Sequence, residues 1–173
     1  MSEMVLNNKT IVNLQSAFAE QAQVNRRYAF YAKKADEEGL KQVAKLFRAF
    51  SESENIHVSN HFKRMKGIKS TNENIENSLK DEKAAYQTTY PQYLQVANQE
   101  GEESAAWSFE KAGKVEQVHT NLLSKAEEAV NSKKDLAQLD YYVCSVCGNT
   151  VENSAPEICP ICGAPRTAFF KVP

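Results

Sequence analysis

The sequence predicts an all-α four-helix bundle followed by a small domain of β-strands and loops that a bound metal holds together. Residues from about Thr10 to Ala129 are rich in Ala, Leu, Glu, Lys and Gln and carry almost no strand pattern. Glycines at positions 39, 67 and 101 divide this run into four segments of helical length. All four cysteines and four of the five prolines lie beyond residue 140. We therefore expect a bundle in residues 1–134 and a separate domain in residues 135–173.

The four helical segments each carry an apolar stripe at alternating steps of three and four residues, the pattern that packs a helix against its neighbours in a bundle. Ser70-Thr71-Asn72-Glu73 forms a capping box, which predicts that the third helix begins there. Pro91 lies inside that helix and has no backbone N–H to donate. The sequence therefore predicts a kink or bulge near Pro91.

Polar residues interrupt each apolar stripe near its middle. A carboxylate buried in a bundle is costly unless it is paired, so these positions require a partner. The second and fourth segments share a Glu-x-x-His pattern, whose two side chains lie on one helix face. One such pair is usually a solvated surface, but two copies in phase with apolar stripes, together with a glutamate of the third segment, predict a metal site. The residues are Glu54, His57, Glu82, Glu116 and His119.

This set resembles the ligands of the carboxylate-bridged dinuclear sites in ferritin-like bundles, in which two helices each give a glutamate and two give Glu-x-x-His. The match is recognised from that likeness and does not follow from the spacing alone.

The cysteines form two Cys-x-x-Cys-Gly motifs, Cys144 with Cys147 and Cys159 with Cys162. Two thiolates at this spacing bind one metal from a tight turn, and the glycine lets the backbone N–H groups point at the sulfurs. Two such turns facing each other make a tetrahedral all-sulfur site, which suits iron or zinc. The ligands alone do not separate the two metals. Disulfides are the alternative, but no secretory signal precedes the motifs.

Composition excludes several classes of partner. The net charge of −1 provides no electrostatic footprint for nucleic acid or for an anionic membrane surface. No apolar run is long enough to span a bilayer, and residues 1–4 do not form a signal sequence. We expect no nucleic-acid or membrane partner and a cytoplasmic location, where reduced, metal-bound cysteines persist.

With these motifs in place, the chain resembles a rubrerythrin over nearly its full length. The resemblance implies a ferritin-like bundle with a di-iron site, followed by a rubredoxin-like domain whose single iron, held by the four cysteines, supplies electrons. The matching stretches are Asn25–Tyr28, Ala35–Gly39, Ala44–Ala49, Thr89–Pro91, Tyr141–Gly148 and Cys159–Pro165.

The resemblance also implies a role for each ligand of the di-iron site. Glu54 and Glu116 match the bridging carboxylates of the family. Glu82 and His119 match terminal ligands of one iron, and His57 matches a ligand of the other. The tyrosines that match those beside the family's site are Tyr28 and Tyr90.

Two positions depart from the family pattern. The first-helix glutamate of the family falls on Gln21, while the adjacent Glu20 is rotated by about 100° off the stripe, so only a local bulge would return it. The third-helix glutamate that exchanges with histidine in the family is here Ala85, so we expect His57 to remain a ligand in both oxidation states. Both changes affect the metal next to His57. We expect that metal to bind more weakly, and the site to be asymmetric, partly occupied or mixed in metal.

The resemblance implies a non-haem iron peroxidase that reduces hydrogen peroxide to water, with electrons delivered through the cysteine-bound iron. It also implies a redox donor protein, such as a reductase or a rubredoxin, and a homodimer in which one subunit's tail approaches the other's bundle. Ferroxidase or iron-handling chemistry is one alternative. An electron-transfer or binding protein with a degraded bundle site is another, and Gln21 and Ala85 give it weight.

Overall fold

The computed structural model describes residues 9–173. Residues 1–4, which we expect not to form a signal sequence, lie outside the described residues. The predicted helical segments are confirmed: four lengths of helix precede a small domain of three strands. None of the helices in residues 9–173 is both long and apolar enough to cross a membrane. The helices are α1 (Lys9–Glu37), α2 (Lys41–Arg64), α3 (Thr71–Ala84), α4 (Tyr90–Glu100) and α5 (Glu103–Asn131).

The chain divides into two compact units, a first unit that ends at Lys69 and a second unit from Ser70 to Pro173. The first unit is the hairpin of α1 and α2. The second unit contains α3, α4, α5 and the strand domain. The predicted division of the protein near residue 134 stays a prediction.

In the first unit, α1 and α2 pack as an antiparallel pair. Small residues are buried near the turn between the two helices: Ala32, Ala35 and Ala44. Further along, the rings of Phe18 and Phe62 stack at a centroid distance of 5.1 Å. Small residues at one end and stacked rings at the other fix the register of the hairpin.

The capping box at the start of α3 is confirmed. The Ser70 hydroxyl accepts a hydrogen bond from the Glu73 backbone N–H (3.3 Å), and the Glu73 carboxylate accepts one from the Ser70 backbone N–H (3.2 Å). These bonds satisfy backbone donors that have no partner within the helix.

The predicted bulge near Pro91 is also confirmed. A π-helical segment, Ala85–Thr89, joins α3 to α4, so the third helix continues without a break. Pro91 has no N–H for the carbonyl of Gln87, and the wider π turn shifts the hydrogen-bond pattern at this point.

Helix α5 packs closely against α3 and α4. A Cβ atom at Gly113 would lie only 3.1 Å from Cβ of Tyr90, so any larger residue would require α5 and the start of α4 to move apart by a few tenths of an ångström. Leu79 of α3, Ala97 of α4 and Val115 of α5 are buried in this unit. The close contact brings Tyr90 next to the middle of α5.

The strand domain consists of β1 (Tyr141–Cys144), β2 (Thr150–Glu152) and β3 (Phe169–Lys171). They form an antiparallel sheet in the order β2-β1-β3, with Tyr142 paired to Val151 on one side and to Lys171 on the other. This domain lies against α5 of its own chain, where Lys125 forms an ion pair with Glu152.

Replacing Ser70 by alanine removes the acceptor for the Glu73 N–H at the start of α3. We expect Ser70→Ala to destabilise the protein by about 1 kcal/mol, the usual cost of losing an N-cap side chain. The urea midpoint measures this change. Ser108→Ala, at an exposed position in the interior of α5, is the control and should leave the midpoint unchanged or slightly raised. Equal midpoints for Ser70→Ala and the parent protein would contradict the prediction.

Candidate metal centres

The four cysteines converge as free thiols at the end of the strand domain. The Sγ atoms of Cys144 and Cys162 are 3.7 Å apart, and those of Cys147 and Cys159 are also 3.7 Å apart. All four sulfurs lie within 4.8 Å of one another. A tetrahedron with metal–sulfur bonds of about 2.3 Å has edges of roughly 3.8 Å. The sulfurs are therefore spaced to bind one tetrahedral metal ion.

The turns that carry the cysteines have the predicted form. Gly148 (φ 81°) and Gly163 (φ 78°) adopt the left-handed conformation, and each donates its N–H to the carbonyl of the first cysteine in its motif. Cys144 and Cys159 are buried, while Cys147 and Cys162 are partly exposed. One edge of the site thus faces solvent.

The surroundings of the sulfurs favour different protonation states. Burial raises the pKa of the Cys147 thiol. Burial also acts to raise that of Cys159, but N–H groups of Cys162 and Ile161 outweigh it and bring the pKa to about 7. The buried side chain of Asn149 donates a further hydrogen bond to the Cys159 sulfur at 3.7 Å. Because several close thiols resist ionisation together, the site is suited to a cation that stabilises all four thiolates.

The second cluster lies between α3 and α5. Ligand atoms of Glu82, Glu116 and His119 all lie within 4.8 Å of one another. Nδ1 of His119 is 3.0 Å from Oε2 of Glu116 and 3.6 Å from Oε1 of Glu82. The structure thus brings together three of the residues that the sequence predicted as metal ligands.

The electrostatics of this cluster fit a bound cation. Burial, followed by the hydrogen bond and the charge of Glu116, raises the pKa of Glu82 to about 8. Two carboxylates held this close without a counter-charge repel each other, and a divalent metal removes that repulsion. Two carboxylate oxygens and an imidazole nitrogen form a donor set that suits iron.

Glu54 and His57 form a matching pair on α2 in the first unit. Nδ1 of His57 lies 3.0 Å from Oε2 of Glu54. The Glu54 side chain is 19% exposed, whereas that of His57 is 52% exposed. The Glu-x-x-His spacing thus has the same local geometry on α2 as on α5, as the helix repeat requires.

Gln21, and not Glu20, is the α1 residue turned towards α2. Helix α1 is regular throughout, with no bulge that would rotate the exposed Glu20 inwards. Gln21 lies one turn before Asn25, whose side chain donates to the carbonyl of Ser51 at 2.6 Å. In an antiparallel hairpin this puts Gln21 at the level of Glu54. Its buried Oε1 has no hydrogen-bond partner among the described residues, which is a costly arrangement unless a further group binds it.

The two tyrosines predicted to lie beside the site, Tyr90 and Tyr28, have different environments. Tyr90 packs against Tyr93 and Phe109, and burial raises its pKa, with the charges of Glu116 and Glu82 raising it further. Its phenol therefore keeps its proton at neutral pH. Tyr28 lies in an aromatic cluster of the first unit.

The cluster around Tyr28 is formed by three neighbouring rings. They belong to Tyr31, Phe47 and Phe50.

A cavity of about 360 Å³ adjoins the Glu82–His119 pair within the second unit. Its walls are mainly apolar and include the linker before β1 as well as α3 and α5. The residues that line it are Ser78, Glu82, His119, Leu122, Leu123, Ala126, Leu136 and Tyr141.

Sequence reasoning missed two residues that contact these sites. Asn149 donates to a cysteine sulfur, as described above. Thr150 Oγ1 lies 3.4 Å from Nε2 of His119, a contact between the strand domain and α5. Because this contact joins residues distant in sequence, no local pattern predicts it. Asn149 had a weak signal, a polar residue directly after a Cys-x-x-Cys-Gly motif.

Comparisons with known proteins agree with this architecture. A family model described as rubrerythrin matches residues 13–127, and one described as the rubredoxin-like domain of rubrerythrin matches residues 142–170. The chain is 30% identical to rubrerythrin-2 of Clostridium acetobutylicum, over 95% of this chain and 97% of the relative. It is 28% identical to the rubrerythrin of Nitratidesulfovibrio vulgaris, over 94% of this chain and 93% of the relative.

Among solved structures, the chain is similar to fully reduced, all-ferrous nigerythrin. That similarity has a TM-score of 0.55 at 25% identity and covers 98% of this chain and 92% of nigerythrin.

Replacing Asn149 by leucine keeps a side chain of similar size but removes the N–H that points at the Cys159 sulfur. The reduced site carries more negative charge on sulfur, so we expect the iron in the four-cysteine site to have a lower reduction potential. One hydrogen bond of about 1 kcal/mol corresponds to a change of about 40 mV for one electron. A spectroelectrochemical titration measures it. Val146→Ala, an exposed position between two cysteines, should leave the potential unchanged, and an unchanged potential in Asn149→Leu would contradict the prediction.

Proposed function

The chain belongs to the rubrerythrin family, and on that premise we propose that it is a peroxidase that reduces hydrogen peroxide to water at a di-iron site. The family binds iron and consists generally of oxidoreductases. The observation that carries the proposal is the Glu82–Glu116–His119 cluster, with its two close carboxylates, one imidazole and a Glu82 pKa raised to about 8. Bringing two partly buried carboxylates together is costly unless a cation or a proton compensates their charge, and such perturbed groups are concentrated at functional sites.

The proposal assigns residues to two metal sites. The four cysteines hold one iron. Two further irons would be held by the side chains of the dinuclear set, and when bound they supply the two electrons that, with two protons, split hydrogen peroxide into two waters. The dinuclear set is Gln21, Glu54, His57, Glu82, Glu116 and His119.

The chain's own groups contribute positioning and proton control. The 3.0 Å contact between His119 and Glu116 orients both ligands along one face of α5. Tyr90 remains protonated beside Glu82 and Glu116 and offers a phenolic hydrogen-bond donor there. The cavity next to Glu82 and His119 has room for a small oxidant and its displaced water.

Gln21 and Ala85 make the two metal positions of the dinuclear set unequal. A neutral amide in place of a glutamate removes one negative charge and leaves a weaker oxygen donor. Because position 85 in the π segment is alanine, no carboxylate is present there to exchange with His57 of α2 as a metal ligand. We expect the metal beside His57 to be the weaker-bound of the pair.

Ferroxidase or iron-handling chemistry is the second candidate, and the neutral Gln21 favours it because a weakly held metal is easily released. It predicts iron turnover with oxygen that is independent of the four cysteines. The peroxidase proposal predicts that peroxide reoxidises the cysteine-bound iron. We also propose a cytoplasmic homodimer that receives electrons from a redox protein such as a reductase or a rubredoxin.

Replacing Glu54 by alanine removes a proposed bridging carboxylate. We expect Glu54→Ala to reduce the iron content from about three to about one per chain and to abolish peroxide reduction, because only the cysteine site stays intact. Iron analysis and anaerobic mixing of reduced protein with hydrogen peroxide, followed by visible absorption, measure both effects. Glu52→Ala, at an exposed position two residues earlier in α2, is the control. Peroxide reduction by Glu54→Ala at the parent rate would overturn the proposal.

Restoring a carboxylate at position 21 should strengthen the weaker metal site. We expect Gln21→Glu to bind the second ferrous ion roughly tenfold more tightly, because a charged oxygen donor replaces a neutral one. Anaerobic calorimetric titration with ferrous iron measures the affinity. Gln23→Glu adds the same charge at an exposed position of α1 and should have no effect. Equal affinities in the two variants would show that Gln21 is not a ligand.

A further inference from the structure

The contact between the strand domain and α5 suggests a residue with a specific task. Resting on the proposed function, we propose that Thr150 is a positioning residue for His119. Its hydroxyl fixes the orientation of the imidazole and links the four-cysteine site by hydrogen bonds to the Glu82–Glu116–His119 cluster of the second unit.

The direction of the hydrogen bonds follows from the groups involved. Thr150 Oγ1 lies 3.4 Å from the carbonyl oxygen of Gly148 and 3.4 Å from Nε2 of His119. A hydroxyl has one proton to donate, and the carbonyl of Gly148 can only accept. When the Thr150 hydroxyl donates to Gly148, its oxygen is free to accept from Nε2–H of His119, and our proposal is that His119 carries its proton on that nitrogen.

This arrangement determines which nitrogen of His119 is free to bind a metal. An imidazole whose proton is on Nε2 presents the lone pair of Nδ1. That Nδ1 is the atom 3.0 Å from Oε2 of Glu116 and 3.6 Å from Oε1 of Glu82. Thr150 thus holds the ring so that its free nitrogen points into the carboxylate pair, the usual task of a hydrogen-bond partner behind a metal-binding histidine.

Two further contacts show that the strand domain packs against α5 around Thr150. Lys125 of α5 pairs with Glu152 of β2, two residues after Thr150. On the other side of Thr150, a Cβ at Gly148 would be 4.0 Å from Cγ1 of the buried Val115. The residues two positions before and two positions after Thr150 thus both lie next to α5, and all of these residues belong to the second unit.

The same bonds form a short connection between the two sites. Gly148 directly follows Cys147, its carbonyl accepts from Thr150, and Thr150 accepts from His119. Reduction of one peroxide to two waters consumes two electrons and two protons, and the cysteine-bound iron gives up one electron each time it passes from ferrous to ferric. In this proposal the hydrogen bonds of Thr150 connect the carbonyl that follows Cys147 with the imidazole of His119.

The test compares Thr150→Val, which keeps the shape but lacks the hydroxyl, with Thr150→Ser, which keeps the hydroxyl. The first readout is the His119 Nε2–H signal in proton–nitrogen NMR spectra of zinc-loaded protein, which is feasible because the chain has only three histidines. We expect a slowly exchanging signal in the parent and in Thr150→Ser. In Thr150→Val the proton loses its acceptor, so the signal should shift and exchange rapidly with water.

The second readout is the rate at which hydrogen peroxide restores the visible absorption of the reduced, iron-loaded protein. We expect a several-fold decrease in Thr150→Val and the parent rate in Thr150→Ser, with equal iron content and equal cysteine-site spectra showing that the tail is folded. If Thr150→Val does not fold, Thr150→Ala provides the same comparison.

Each result has a definite meaning. An unchanged Nε2–H signal in Thr150→Val, or loss of the signal in Thr150→Ser, overturns the role of Thr150. A signal that depends on the hydroxyl in a protein that does not reduce peroxide supports Thr150 and overturns the peroxidase proposal. A zinc-loaded parent without a metal-bound imidazole at His119 overturns both.

Discussion

The helical part of this protein depends on one electrostatic constraint: carboxylates that face each other across packed helices need a cation between them. Glu82 and Glu116 come from different helices, yet their oxygens share a space within 4.8 Å with the Nδ1 of His119. Burial and mutual repulsion would otherwise hold a proton on Glu82 at neutral pH. The helices can tolerate these polar residues in an apolar stripe because a metal ion converts repulsion into coordination bonds.

Local backbone features bring this cluster together. The π-helical segment Ala85–Thr89 begins just after the turn that carries Glu82 and ends at Tyr90, so the residues on either side of it keep their faces towards α5. Gly113 lets α5 approach Tyr90 closely, because a Cβ atom at this position would lie only 3.1 Å from Cβ of Tyr90. The positions of Glu82, Glu116 and His119 thus depend on backbone features that supply no ligand themselves.

Helix α5 connects the two kinds of chemistry in the chain. The middle of α5 carries Glu116 and His119. Val115 and Lys125 of the same helix lie against the strand domain. The four-cysteine site therefore stands within two hydrogen bonds of a proposed ligand of the dinuclear site. Electron transfer over a short, defined path needs little motion, whereas a freely tethered tail would have to find its acceptor by diffusion.

The sequence by itself determined the fold class, the helix boundaries at the Ser70 capping box, the bulge near Pro91 and the two cysteine turns, because each depends on residues a few positions apart. It also determined the Glu-x-x-His pairs, since a helix brings residues three apart onto one face. The sequence already grouped Glu82 with Glu116 and His119 and favoured Gln21 over Glu20 as the inward residue. Only the tertiary structure decided how close the atoms of that group lie and that Thr150 contacts His119. Those contacts join distant parts of the chain, and their energies depend on how helices and strands pack, which no local pattern records.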